Sequence, residues 1–210
     1  LARGDPILGI LFRQSGDLIN LHALFDQAGQ EGDKRDEKIA SLVEKLRAEK
    51  DPFLGSYADF YAARQAMEKG DNAIAVEIME RLVKSEYFLP RYKVRRNLAS
   101  LYRSTGEVTL AILELQFYLK DLSDEHSTER KWAEDQLAEI RKDHDGPLHD
   151  VAERTRDISE TLSEPKLDEG VQSEQKDVEL ILEKIVLLME EETRRQVEEM
   201  LEQMQQQQQQ

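Results

Sequence analysis

An all-α fold of antiparallel helix pairs, followed by an unequal helical hairpin, is what this sequence predicts. Three observations carry that expectation. A glycine-centred motif occurs twice, thirty-six residues apart: residues 57–84 hold a small-residue cluster, Gly70-Asp71 and Ala75, and residues 92–120 hold Ala99, Gly106-Glu107 and Ala111. Helices on both sides of a glycine turn, repeated at that period, are how a solenoid of helix pairs is written. Apolar residues recur three and four positions apart along most segments, the period of an amphipathic helix. Hydrophobic residues make up 39% of the chain and charged residues 35%, with only 10 Gly and 5 Pro in 210 residues. That profile suits helices with one apolar stripe each and not a large sheet-based core.

Asp5-Pro6 opens the first helix, with Asp able to cap and Pro suited to the first helical position. Ile7, Leu8, Leu11, Leu18, Leu21, Leu24 and Phe25 supply its apolar face, with a weak point at Ser15-Gly16. Residues 30–33, polar and glycine-bearing, read as a loop. Ile39, Leu42, Val43 and Leu46 follow at helical spacing. Asp51-Pro52 ends that helix, because the residue before proline avoids the helical region. Residues 1–52 therefore read as a leading helical pair, a degenerate copy of the repeat with Ala40 in its small slot.

The first clear pair is expected over residues 53–69 and 72–85, and the second over 91–104 and 108–122, introduced by Pro90. A further helix, 128–142, carries Trp132, Leu137 and Ile140 on one side and closes the array, so this unit spans residues 53–145. Residues 146–210 form the hairpin. Leu148, Val151, Thr155, Ile158 and Leu162 alternate three and four apart, the seam of a paired helix. Residues 163–170, with Pro165 and Gly170, read as its turn. The long arm places Val178, Ile181, Leu182, Ile185, Leu188, Met189, Val197, Met200, Leu201 and Met204 on one stripe. At about 1.5 Å per residue the arms measure roughly 22 Å and 45 Å. From about Met189 onward the longer arm must therefore pack on the repeats, meet another chain or stay exposed.

In register with Gly70 and Gly106, Ala63 and Ala99 fill the small slot of each pair's first helix, and Tyr102 the aromatic slot. Ala75 and Ala111 fill the small slot of each second helix, followed by the bulky Met79 and Leu115. In these positions residues 53–142 resemble the tetratricopeptide repeat family. The chain departs from the family pattern in four places. Neither repeat opens with Trp, Ala66 stands in the first aromatic slot, Leu82 and Tyr118 replace a later alanine, and the closing proline is displaced to Pro90. The resemblance implies a concave groove lined by the first helix of each pair. Here that means Phe60, Arg64 and Met67, then Lys93, Arg96, Asn97, Ser100 and Arg103. Some members clamp a terminal carboxylate with Lys and Asn; Phe60 and Arg64 stand there instead, so that activity is not expected. The hairpin and its glutamine-rich end are similar to the tails of uncharacterised bacterial envelope proteins.

Arg91, Lys93, Arg95, Arg96 and Arg103 crowd one helix of a chain whose formal net charge is -15. A groove with an aromatic and sulfur floor and a cationic wall suits an acidic or amphipathic segment, because guanidinium pairs with carboxylate in two-point hydrogen bonds. The chain's own acidic arm, with Glu183, Glu190, Glu191, Glu192, Glu198 and Glu199, is one candidate occupant, docked on the basic helix until a partner displaces it. The predicted role is a non-catalytic protein-interaction scaffold or adaptor. The alternative is a structural component that self-associates into a homo-oligomer through Met189, Val197, Met200, Leu201 and Met204.

Other chemistry finds little support. The chain has no cysteine, so disulfides and thiolate sites are excluded. Its acidity argues against nucleic acid, whose phosphates need a basic surface. No run reaches the roughly 18 apolar residues that span a bilayer. Asp143, His144, Asp145, His149 and Asp150 are metal-ligand types, but with Gly146-Pro147 between them they read as an interdomain turn. A metal-dependent enzyme built there is a third reading, not adopted, and no metal or cofactor is expected. His22 and His126 stand alone, and neither a nucleophile elbow nor a phosphate-cradling loop occurs, so no catalytic residue is assigned. The sequence opens on Leu1 and closes within a glutamine run. Further chain is expected on both sides, and a cleaved leader upstream makes an exported location preferred to a cytoplasmic one.

Overall fold

The computed structural model describes residues 6–26, 32–88, 90–122, 126–142, 144, 146–162 and 169–208. The fold is all-α: these residues form ten α-helices and no strand. They are α1 (Pro6–Gln14), α2 (Gly16–Asp26), α3 (Asp33–Ala48), α4 (Pro52–Lys69), α5 (Asn72–Val83), α6 (Arg91–Thr105), α7 (Val108–Asp121), α8 (Ser127–Ile140), α9 (Pro147–Leu162) and α10 (Glu169–Gln208). From α1 to α8 each helix packs chiefly on its neighbours in sequence, and α10 lies against α9 and α7. No helix among the described residues is long and apolar enough to cross a membrane.

The expected weak point in the first helix is a break. Ser15 is buried at the junction, and its hydroxyl accepts the Leu18 amide at 3.3 Å to start α2. Asp51 caps α4 by accepting from the Phe53 and Leu54 amides at 2.9 and 3.1 Å, with Pro52 in the first helical position. The leading helices join the interior of the next pair: Leu8, Leu18, Leu21, Ile39 and Leu46 share one core with Leu54, Tyr57 and Tyr61. Ala40 is exposed, so it fills no small slot; Ile39 and Val43 face inward instead.

The two glycine corners are the same bend. Gly70 and Gly106 adopt left-handed φ values of 80° and 86°. The Asp71 amide donates back to Ala66 O at 2.9 Å and the Glu107 amide to Tyr102 O at 2.8 Å, matching bonds that satisfy the last carbonyls of each helix. Ala63, Ala75, Ala99 and Ala111 are buried where α4 meets α5 and α6 meets α7, and Met79 and Leu115 fill the space beside them. Close backbone approach at the small residues, with large ones filling the gap, gives crystal-like interior density. Helix α8 covers the far side of α7, with Ala133, Leu137 and Ile140 on Ile112, Leu115 and Tyr118.

The hairpin turn expected at 163–170 falls mostly on positions 163–168, outside the described residues. The single apolar stripe expected on the long arm is two. Val178, Ile181 and Leu188 are buried, whereas Leu182, Val186, Met189, Val197, Met200 and Leu201 are exposed. The reason is that each residue turns a side chain through about 100° on an α-helix, so the neighbours Ile181 and Leu182 already point to different faces. The side chain of Met204 lies outside the described residues.

Candidate functional site

Five of the eight predicted groove residues line one concavity of about 470 Å³. Phe60 and Arg64 come from α4, and Lys93, Arg96 and Asn97 from α6. Phe88 and Pro90 close the floor between the two helices, with the Phe88 ring 4.8 Å from Tyr57 and 5.0 Å from Phe60. Tyr61 and His22 form the wall toward α2, and Tyr92, Tyr118 and Glu129 the wall toward α8.

The cations are held on aromatic faces. The Arg64 guanidinium lies 4.7 Å from the Phe25 ring centre, Arg96 4.5 Å from Trp132, and the Lys93 ammonium 5.8 Å from Tyr92. Stacking of this kind fixes a guanidinium plane without using its hydrogen-bond donors. Among the described residues neither Arg64 nor Arg96 makes an ion pair, so both keep donor capacity for an incoming anion.

The remaining three predicted residues are placed differently. Met67 is half-buried against Ala66, Ala75 and Leu101, part of the packing and not of the groove floor. Ser100 is exposed, its hydroxyl donating to the Arg96 carbonyl at 3.1 Å. Arg103 turns to α8, where it donates to Gln136 and pairs with Glu139 at 3.2 Å. Each lies one or two turns farther along its helix, where α5 packs on Met67, α8 engages Arg103, and Ser100 bonds its own helix.

Two features of the site were not read from the sequence. Tyr118 is fully buried, yet its hydroxyl has no hydrogen-bond partner among the described residues while its side chain lines the concavity. Burial pushes this phenol up from its usual value, and nearby Arg96 pulls it back. The signal was present: Tyr118 lies in an apolar helix, and a buried ring with a polar tip needs a partner. His22 is the second. Its Nδ1 meets the Tyr61 hydroxyl and its Nε2 lies 3.2 Å from Asp26. Burial lowers its pKa, Asp26 opposes, and Lys93 and Arg64 lower it further.

The chain matches no known protein family, no curated protein and no solved structure. What the site can do therefore rests on its geometry.

The acidic arm does not occupy this groove. Helix α10 packs on α7 and α9. Arg91 and Arg95, rather than Lys93 and Arg96, line the cleft beside its Glu183, Lys184 and Glu191. At about 100° per residue, Arg91 and Arg95 project from the side of α6 opposite Lys93, Arg96 and Asn97. The leading contact also reverses the expected polarity. Lys184 of α10 is buried and donates to Glu80 at 2.8 Å and to Glu114, while Arg95 pairs with Asp121 at 2.6 Å and with Glu114 at 3.3 Å. Two flanking contacts do pair the acidic arm with lysines, but not with those of the basic helix: Lys84 at the end of α5 meets Glu183 and Lys120 of α7 meets Glu192, each at 3.2 Å.

Asp143 and Asp145 of the histidine-rich turn lie outside the described residues, among which no group of metal-ligating side chains comes together. His144 instead accepts the Gly146 amide at 3.0 Å and contacts the Thr109 hydroxyl, which donates to Asp150 at 2.7 Å. Asp150 also receives Arg154, which pairs with Glu107, so this turn is tied to the start of α7.

Proposed function

We propose that this chain is a non-catalytic adaptor whose groove between α4 and α6 holds an acidic or amphipathic segment of another protein. One observation carries the proposal: aromatic-stacked Arg64 and Arg96 flank a concavity in which the buried Tyr118 hydroxyl has no partner. A carboxylate side chain satisfies both guanidinium groups and can accept from that hydroxyl, while Phe60, Phe88 and Tyr57 offer apolar contact to a neighbouring residue. The two matched glycine corners and the alanine-lined contacts support reading residues 53–142 as tetratricopeptide-like repeats, a design in which first helices face the ligand. A negative protein with a local cationic recess also repels most acidic surfaces, so selectivity comes from shape around the recess.

The test is selection from a random displayed peptide library against the full chain and an Arg64→Ala/Arg96→Ala variant. Enriched peptides should carry Asp or Glu beside a large apolar residue and should be lost on the variant. Their binding should weaken with salt and change the fluorescence of Trp132, the chain's only tryptophan, which stacks on Arg96. Peptides without acidic residues, or peptides indifferent to the variant, end this reading.

A further inference from the structure

Helix α10 presents apolar side chains on two separate faces, and only one of them is covered. Ile181, Lys184 and Leu188 face the body, where Ile181 and Leu188 enter the main core. On the other face Leu182, Val186, Met189, Val197 and Met200 stay exposed, Met189 by 62% and Met200 by 56%. Together with Thr193 these positions fall within about 40° of a single line along the helix. Beyond Arg195, whose guanidinium reaches the Lys120 carbonyl at 3.1 Å, no hydrogen bond or ion pair among the described residues ties α10 to the body.

The order of the outward residues carries a symmetry. From Val186 through Met189, Thr193 and Val197 to Met200 the steps are 3, 4, 4 and 3, identical in either direction about Thr193. The steps of 4, 3 and 4 from Leu182 to Thr193 place eleven residues in three turns, about 3.67 per turn and close to the natural period, so the face runs almost straight without supercoiling. A self-complementary contact in which residue i meets j and j meets i is what a two-fold dimer requires. Thr193 suits the axis, because its hydroxyl is already bonded to the Met189 carbonyl at 2.9 Å and leaves the methyl for contact.

We infer that two copies of this chain pair through α10 in antiparallel orientation, with Thr193 on the two-fold axis. Val186 of one copy then packs on Met200 of the other, and Met189 on Val197. Charge selects the orientation. Antiparallel pairing keeps the same flank of each helix together, which brings Arg194 of one copy toward Glu190 of the other. A parallel pair would instead turn Arg194 toward the opposite flank, where Glu192 is already held by Lys120. Between Val186 and Met200 the contact spans about 21 Å of helix and is separate from the groove.

The absence of native cysteine makes the register directly testable. Under mild oxidation, Val186→Cys mixed with Met200→Cys should form a mixed disulfide dimer readily, and Val186→Cys alone should not. In sedimentation the unmodified chain should reach twice its 24.3 kDa mass, and Met189→Glu should weaken association by about tenfold or more while leaving helicity unchanged. Disulfide formation by Val186→Cys alone overturns the orientation. A purely monomeric chain, or a dimer that survives Met189→Glu, overturns the interface.

Discussion

Lys184 on α10 donates its ammonium protons to Glu114 on α7, across seventy residues of chain, with both side chains withdrawn from solvent. Burial by itself would lower the Lys184 pKa, but Glu114 and then Glu80 outweigh it, and the net direction is up. The ammonium is therefore retained through neutral pH, and its contribution fades only as pH rises above the ordinary lysine value of 10.5 toward the higher folded one. Removing one member of a buried pair leaves an uncompensated charge and costs about 3 kcal/mol. Lys184→Ala should therefore release α10 first: hydrogen exchange over residues 178–188 should accelerate more than over α4 and α5. Protection that stays level across the chain would show that apolar contacts alone hold the helix.

The glycine corners offer a measure of repeat equivalence. Nothing lies within 4 Å of a Cβ built on Gly70 or Gly106, so a substitution meets only the left-handed backbone. Gly70→Ala and Gly106→Ala should each cost about 1 kcal/mol, and the asparagine variants less, because Asn tolerates this conformation better. Denaturant unfolding should return matching losses at the two sites. Losses differing severalfold would mean that the two bends are not structurally interchangeable.

Much of the fold was legible because its signals are local. Gly70, Gly106, Pro52 and Asp51 mark helix ends through their own backbone chemistry, and periodic apolar residues set the stripes between them. The groove was legible in part: Phe60, Arg64, Lys93, Arg96 and Asn97 come together because α4 and α6 both pack on α5. Met67, Ser100 and Arg103 do not, because the angular reach of the groove depends on neighbouring helices that a single-helix reading omits. The tail contact was hidden for a related reason. Glu114 is a lone charge between Leu113 and Leu115, and Lys184 follows Glu183 inside the otherwise apolar run from Ile181 to Leu188. Either one alone looks like an exposed position, and only the pair makes sense buried.

Tyr118 sets stability against binding. A buried hydroxyl without a partner carries a desolvation cost that phenylalanine avoids, so Tyr118→Phe should raise stability by about 1 kcal/mol. The same substitution should weaken any carboxylate-bearing peptide selected on the groove, because a donor is lost. A variant of lower stability would indicate that a water or a residue beyond those described already satisfies the hydroxyl.

His22 links the groove to pH. Its folded pKa lies below the unfolded value of 6.5, first through burial and then through Lys93 and Arg64, against the opposing pull of Asp26. The unfolded chain therefore takes up this proton first. The His22 contribution is complete above 6.5 and is lost as pH falls toward the lower folded value. Thermal midpoints taken between about pH 7.5 and pH 5 should drop more steeply in the native chain than in His22→Gln, which keeps a polar group beside Tyr61. An anion bound between Arg64 and Lys93 offsets their charge and raises the His22 pKa. Affinity for an acidic peptide should then strengthen as pH falls through this range, and His22→Gln should flatten the dependence. If the slope is the same with and without His22, the imidazole is not part of the groove's electrostatics.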